Sequence, residues 1–289
     1  MLQYYYTTRI NRRLRNEDAL GFRKIPVGCC PDDLWALIAA DGMGGGAEGE
    51  AYSNAVVTET LNAVGEMISD IDGQPRGRRQ LPSEEVARML LQRLPRAIGE
   101  INRRVISSLR DTGIAGGGST VAGALFIGPA LVTFNVGDSP VYLLSDGTAR
   151  ELSVRDNESE ELVRQGRITR DSDEYARCSG ALTAFIGDSR TPDPHAALTL
   201  LSDGDTVIAG SDGAFGNMTD ARDVAAELRS VSPSGYADRL CAAAASATFD
   251  NQSVIVAVYT EEPFTPIDSI RNIFASAKKK ISKQGGHHG

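Results

Sequence analysis

Acidic residues recur along the chain where buried strands are expected to end. They are Asp41 after "LWALIAA", Asp138 after "LVTFNVG", Asp212 after "TVIAGS", the pair Glu17 and Asp18 after "TRINRRLRN", and Asp250 just before the last apolar segment. An unpaired carboxylate at the edge of a core is costly unless a cation satisfies it. Glycines next to Asp41 and Asp138 leave room for backbone and ion to approach closely. Acids placed in this way therefore predict a shared metal site.

An Asp-Gly pair is also the commonest turn of a β-hairpin. Asp146-Gly147 is interpreted as such a turn, because "VYLLS" precedes it, "TARELS" follows it and both segments alternate. Asp212-Gly213 leads instead into "AFGNMTDARDVAAEL", a helical pattern, so it closes no hairpin. Asp212 alone is compatible with a turn or a ligand, and the recurrence of the acids favours the ligand.

The glycines after Asp41 raise a second hypothesis, a loop that holds a phosphate on its backbone. Residues 42–47, "GMGGGA", match the dinucleotide-binding pattern G-x-G-x-x-A. That site requires a strand, the glycines, a helix and then a second parallel strand. Here a helical pattern over 48–69 is followed by a polar loop over 70–82 and by another helix, and no Gly-Lys-Ser/Thr follows the glycines. We therefore interpret Asp41, and not the backbone of the loop, as the chemical group.

Composition limits the partners and the compartment. The chain has 289 residues, 41% of them hydrophobic, which suffices for one large domain or two small ones. A net charge of −8 argues against a nucleic-acid partner. The N-terminus has no apolar signal region and no window is long and apolar enough for a membrane span. Four cysteines without a CxxC pair indicate reduced thiols, so we expect a cytoplasmic protein.

The hydrophobic pattern predicts an α+β protein. Strands are predicted over 34–41, 116–128, 130–153 (three strands, with a bend at 137–140), 205–213 and 252–260. Helices are predicted over 48–69, 83–109 (kinked at Pro95), 158–165, 220–230 and 234–248. Strands do not alternate regularly with helices, which favours helices packed on antiparallel sheets. Residues 267–283 form an amphipathic pattern with a basic end, interpreted as a solvated helix, with docking to a partner or an anionic membrane as alternatives.

Several stretches together resemble one known family. They are "RLRNEDA" (13–19), "ADGMGGGAEGE" (40–50), "GGSTVAGALF" (117–126), "NVGDSPVYLLSDG" (135–147), "ELVRQGRIT" (161–169), "LTAFIG" (182–187), "GSDGAFGNM" (210–218) and "DNQSVIVAVY" (250–259). In order and spacing they resemble the metal-dependent PPM-type protein phosphatases, the protein phosphatase 2C family, in its bacterial form. The resemblance implies a four-layer αββα sandwich over residues 1–260, with a variable flap at about 155–190 and a C-terminal tail over 261–289.

The resemblance also implies roles for the acids. Asp41 would bridge two metal ions; Asp212 and Asp250 would complete the ligands of one ion, and Glu17 would complete those of the other, with the Gly42 carbonyl as a further ligand. Asp138 would help Asp212 to hold a third, weaker ion. Asp18 would support the site through water, and Arg13 would bind the substrate phosphate. Ligands that are all oxygen select Mn²⁺ or Mg²⁺ over zinc. Two such ions can activate a water for attack on phosphorus. No C-x5-R motif supplies a cysteine nucleophile, and the absence of histidine before His195 excludes a histidine-ligated dinuclear site at the usual spacing.

The chain departs from the family pattern at four positions. Pro140 and Ala184 stand where the family has arginine, Gly46 where it has histidine, and Met43 where some relatives have a histidine that could donate a proton. None of the four is an implied metal ligand, so we expect activity to survive. Substrate recognition is expected to depend on the flap.

The resemblance therefore predicts a monomeric protein serine/threonine phosphatase that acts on phosphorylated proteins and opposes a bacterial Ser/Thr kinase. The alternative is a catalytically weak regulatory or binding module of the same fold. Such a module is expected to have lost a ligand, whereas Glu17, Asp41, Asp212 and Asp250 are all present. A metal-dependent phosphodiesterase or nuclease is disfavoured by the acidic charge and by the resemblance.

Overall fold

The computed structural model describes residues 1–75, 79–114, 116–216, 218 and 220–261. The strands are β1 (Leu2–Arg9), β2 (Asp18–Ile25), β3 (Leu34–Met43), β4 (Gly118–Ser119), β5 (Val121–Ile127), β6 (Ala130–Val136), β7 (Val141–Ser145), β8 (Thr148–Glu151), β9 (His195–Leu200), β10 (Thr206–Gly210) and β11 (Gln252–Tyr259). The helices are α1 (Ala47–Asp72), α2 (Ser83–Asp111), α3 (Glu158–Arg164), α4 (Asp173–Cys178), α5 (Ala221–Leu228) and α6 (Tyr236–Ala244).

The strands form two sheets. One has the order β1-β11-β10-β7-β8, and the other has the order β2-β3-β5-β6-β9, with β4 paired to the end of β3. Neighbouring strands within each sheet are antiparallel. This arrangement excludes the parallel sheet that a dinucleotide-binding loop requires.

Alternation along the strands divides the core into layers. In β3, Leu34, Ala36 and Ile38 pack with α1 and α2 on one face of the second sheet. Leu37 and Ala39 point the other way, into a core shared with the first sheet. The far face of the first sheet packs against α5 and α6. The predicted four-layer αββα sandwich is thus confirmed.

The central helices and the buried strands follow the prediction closely. The predicted helices over 48–69 and 83–109 extend to 47–72 and 83–111, and α2 continues through Pro95. The hairpin turn at Asp146-Gly147 is confirmed, since both residues have positive φ and join β7 to β8. β1, β2 and β9 were not predicted. All three lie at sheet edges, where one side of a strand faces solvent and the hydrophobic pattern is diluted.

One predicted strand is wrong. "TRINRRLRN" was expected to be a strand that ends at Glu17 and Asp18, whereas β1 ends at Arg9 and Asp18 begins β2. The chain turns between them, and Asn11 adopts a left-handed conformation with φ of 51°. The helix predicted over 267–283 lies outside the described residues. None of the described helices combines the length and apolar character that a membrane crossing demands.

Candidate metal centre

Strand ends from both sheets meet at one end of the sandwich. The register places Asp18 of β2 opposite Asp41 near the end of β3. In the other sheet Gly210, at the end of β10, pairs with Val254 near the start of β11, so Asp212 and Asp250 follow and precede neighbouring strand ends. Antiparallel pairing therefore brings together acids that lie far apart in the chain.

These ends surround a cavity of about 330 Å³. It is lined by Arg13, Glu17, Asp41, Gly42, Met43, Gly44, Gly45, Thr120, Asp138, Gly180, Leu182, Asp212 and Asp250. Every residue that the sequence assigned to the site lines the cavity except Asp18. Gly180 and Leu182 come from the predicted flap, which therefore contributes to the wall.

Thr120 holds the backbone of Asp41 in place, a role that sequence reasoning missed. The Thr120 hydroxyl accepts a hydrogen bond of 2.9 Å from the Asp41 N–H, and the Thr120 N–H donates one of 2.9 Å to the Asp41 carbonyl. The Ser139 hydroxyl lies 2.6 Å from that of Thr120. Thr120 lies in the quoted stretch "GGSTVAGALF", but only tertiary contact shows what its hydroxyl does.

The glycine-rich loop places Glu17 at the start of α1. Gly46, at the N-terminal end of that helix, donates its N–H to a Glu17 carboxylate oxygen at 2.8 Å. A helix N-terminus favours negative charge, so this contact suits a carboxylate. A Cβ on Gly49 would lie 1.9 Å from the other Glu17 oxygen, and one on Gly42 would lie 2.1 Å from the Gly49 carbonyl. The close approach, and not a phosphate cradle, explains these two glycines.

Arg13 contacts a predicted metal ligand. Its guanidinium donates to an Asp250 carboxylate oxygen at 2.7 Å, and this hydrogen bond and charge raise the pKa of Arg13. Asn251 fixes the same loop, since its side-chain oxygen accepts from the Glu17 N–H at 2.8 Å. Its side-chain amide donates to the carbonyls of Ile10 and Arg15, each at 2.9 Å. Asn251 is thus a positioning residue that sequence reasoning did not single out.

The carboxylates crowd one another. Burial, followed by the charges of Asp18 and Asp212, raises the pKa of Asp41 well above its ordinary value. Burial, followed by the charge of Asp250, raises the pKa of Asp212. Burial and Asp212 raise the pKa of Asp138 to about 7, although a 3.2 Å hydrogen bond from Asn157 opposes the shift. Each shift has the direction that burial and a neighbouring negative charge impose on a carboxyl group.

Asp18 lies outside the cavity wall, in a buried position. One carboxylate oxygen accepts from the Ser211 hydroxyl at 2.7 Å, and the other has no hydrogen-bond partner in the described structure. Burial raises the pKa of Asp18 to about 7. The structure places Asp18 opposite Asp41 in the register of β2 on β3 and in hydrogen-bond contact with Ser211, and its support of the site through water stays a prediction.

The donor set fits hard divalent cations. The candidate ligands are carboxylates and one carbonyl, and among the described lining residues only Arg13 is a cation. In the described part of the chain, no three His, Cys, Asp or Glu side chains converge tightly enough to enclose an ion.

Comparisons with known proteins agree on one family. A family model for protein phosphatase 2C matches residues 7–246. The chain is 31% identical over 134 residues to the Mycobacterium tuberculosis serine/threonine protein phosphatase PstP, a match that spans 46% of this chain and 23% of that relative. It is 27% identical over 205 residues to the Listeria welshimeri serine/threonine phosphatase stp, covering 70% of this chain and 75% of the relative. The PstP catalytic domain, solved with two manganese ions, is 26% identical with a TM-score of 0.66, covering 90% of this chain and 98% of that one.

Proposed function

The chain belongs to the protein phosphatase 2C family, and we propose that it is a metal-dependent protein phosphatase that hydrolyses phosphoserine and phosphothreonine. One observation carries this proposal. The cavity at the end of the sandwich gathers carboxylates from both sheets around a single arginine. Such a wall can hold divalent cations, and the arginine can hold a phosphate.

Two Mn²⁺ or Mg²⁺ ions would be held by Glu17, Asp41, the Gly42 carbonyl, Asp212 and Asp250, with Asp138 and Asp212 available to a third, weaker ion. The manganese-bound PstP domain supports this assignment by likeness. When bound, such ions lower the pKa of a coordinated water and polarise phosphoryl oxygens. Burial and neighbouring carboxylates raise the pKa values of Asp41 and Asp212, and a bound cation would favour the charged form of both acids.

The protein itself supplies alignment and a phosphate anchor. Thr120 holds the Asp41 backbone on both sides, which limits how the carboxylate can turn. Arg13 presents a planar guanidinium that suits two phosphate oxygens at once. It bonds Asp250 at 2.7 Å. We propose that Arg13 exchanges this carboxylate for the substrate phosphate as Asp250 turns toward an ion.

The substrates, on this proposal, are proteins phosphorylated by a Ser/Thr kinase, and the protein acts as a monomer in the cytoplasm. Residues 155–190 would act as the flap that contacts them. Its packing supports a defined shape. Arg170 and Tyr175 both bond the buried Glu160, at 2.7 Å each.

Hydrolysis of a phosphothreonine peptide and of p-nitrophenyl phosphate tests the proposal. We expect turnover with Mn²⁺ or Mg²⁺ and none in EDTA. Undiminished turnover in buffer shown to be free of metal would contradict the metal-dependent chemistry. Tight binding of the phosphopeptide without turnover, at saturating metal, would favour the regulatory module instead.

A further inference from the structure

Two large apolar side chains are exposed beside the residues that line the cavity. Leu14, which follows Arg13, is 98% exposed, and Phe249, which precedes Asp250, is 69% exposed. Leu14 is the most exposed large apolar side chain in the described structure. We call Leu14 and Phe249 the apolar rim. Apolar surface held in water is unfavourable by about 25 cal/mol per Å², so an exposed pair whose chain neighbours Arg13 and Asp250 line the cavity points to a ligand.

The rim is built on a fixed framework. Asn11 donates its side-chain amide to the carbonyls of Thr248 and Asp250, each at 3.0 Å, which ties the Leu14 loop to the Phe249 segment. The Arg12 guanidinium lies 4.7 Å from the centre of the Phe249 ring and covers one of its faces. These contacts fix the backbone on either side of Phe249 and give its ring a cationic neighbour. The rim is therefore a defined surface next to Arg13.

We infer that the apolar rim binds an apolar side chain next to the phosphorylated residue of the substrate. This inference rests on the proposed function. An extended peptide advances about 3.3 Å per residue, so a phosphate on Arg13 brings its near neighbours onto Leu14 and Phe249. The cationic side chains of this loop are already engaged. Arg12 covers Phe249, and Arg15 lies 3.5 Å from Glu50. The apolar rim therefore presents mainly apolar surface to a peptide, which favours an apolar neighbour of the phosphorylated residue over an acidic one.

Two phosphothreonine peptides test the inference, identical except for leucine or serine at the two positions on each side of the phosphothreonine. We expect wild-type kcat/KM to favour the leucine peptide by about fivefold to tenfold, the lower range of discrimination by an apolar contact. The double variant Leu14→Ser, Phe249→Ser should lose this preference, and Leu14→Met, Phe249→Leu should keep it. Leu200→Ser is the matched control, because Leu200 is 57% exposed but lies on β9, where neither of its chain neighbours lines the cavity. It should leave the preference unchanged.

Hydrolysis of p-nitrophenyl phosphate, which has no neighbouring residues, reports on the centre by itself. If wild type hydrolyses it but treats both peptides alike, the inference fails and the proposed function stands. If the double variant keeps the preference, or loses p-nitrophenyl phosphate turnover as fully as peptide turnover, the inference also fails. If wild type hydrolyses neither kind of substrate with metal present, the proposed function fails and the inference with it. A dimer that dissociates in the double variant would show that a second copy covers the rim, and would overturn the inference.

Discussion

Asp18→Asn should stabilise the metal-free protein. Asp18 is buried, opposes Asp41 across β2 and β3, and has a pKa raised to about 7. At neutral pH and above, the folded chain therefore carries a carboxylate that its surroundings disfavour. Asparagine keeps the shape and an oxygen that can accept from Ser211. Its amide nitrogen would take the place of an oxygen that has no hydrogen-bond partner in the described structure.

The size of the gain follows from the pKa. The shift from 3.8 to about 7 corresponds to about 4 kcal/mol, at about 1.4 kcal/mol per pKa unit. An amide whose hydrogens lack full partners in a buried site costs about 1–3 kcal/mol. We therefore expect a net gain of about 2 kcal/mol in the free energy of unfolding. For a chain of this length that is a rise in Tm of roughly 3–4 °C.

The pH dependence has a definite sign. Below pH 3.8 Asp18 is protonated in both states and adds nothing. Between pH 3.8 and about 7 the folded state binds the extra proton, so rising pH weakens the wild type, and above 7 the full penalty applies. Near pH 4, where there is little penalty to relieve, Asp18→Asn should therefore be less stable than wild type by roughly the 1–3 kcal/mol cost of the amide, and at pH 8 it should be more stable.

Thermal unfolding in EDTA at pH 4.5 and pH 8 measures this difference. Asp205→Asn is the control, because Asp205 is also buried but accepts the Ser202 N–H at 2.9 Å. That variant should not gain stability at pH 8. A Tm for Asp18→Asn at or below the wild-type value at pH 8, or a gain of equal size at both pH values, would refute the reasoning.

Three further predictions concern the candidate centre. Asp41→Asn should reduce kcat by at least ~10²-fold without loss of folding, since it would remove the charge proposed to bridge two ions; Asp146→Asn, in a turn, should be nearly silent, and the reverse outcome in a parallel assay would contradict the assignment. Arg13→Ala should raise KM for phosphopeptide and leave calorimetric binding of Mn²⁺ intact, because the change frees Asp250; lost metal binding would argue that Arg13 supports the ions. Asn251→Ala should lower the free energy of unfolding by about 2–4 kcal/mol, because it removes three partly buried hydrogen bonds including the one to the Glu17 backbone; a loss under 1 kcal/mol in urea unfolding would show that the loop does not depend on it.

The local hydrophobic pattern was sufficient to predict the buried strands and helices. "LWALIAAD" is apolar on both faces because β3 packs against helices on one side and a second sheet on the other. The two long helices show their buried faces at helical spacing. The edge strands escaped prediction for the complementary reason. β2 carries Phe22, Arg23 and Lys24 toward solvent, so its sequence lacks a continuous apolar face.

Residue type and position were also sufficient to nominate the acids. A carboxylate beside a buried strand is unfavourable without a partner, and this argument identified Glu17, Asp41, Asp138, Asp212 and Asp250 as members of one site. All five line the cavity. Asp18 shows the limit of the argument, because its neighbour Glu17 points into the cavity while Asp18 points at Ser211. Glu17 precedes β2, and Asp18 pairs with the cavity-lining Asp41, so strand alternation does not tell which of the two acids enters the cavity. The tertiary contacts of Glu17 with Gly46 and of Asp18 with Ser211 decide it.

The sequence by itself thus determined the buried strands and helices, the residues that could bind metal and the family that the chain resembles. These features can be predicted from short segments, because burial sets the hydrophobic pattern and the acids stand next to buried strands. The tertiary structure decided what holds those residues. Thr120 on Asp41, Gly46 on Glu17, Asn251 across the Arg13 loop and the Arg13–Asp250 pair all join segments distant in the chain. A hydrogen bond between distant segments depends on distances and angles that no local pattern encodes, so these contacts became visible only when both sheets were in place.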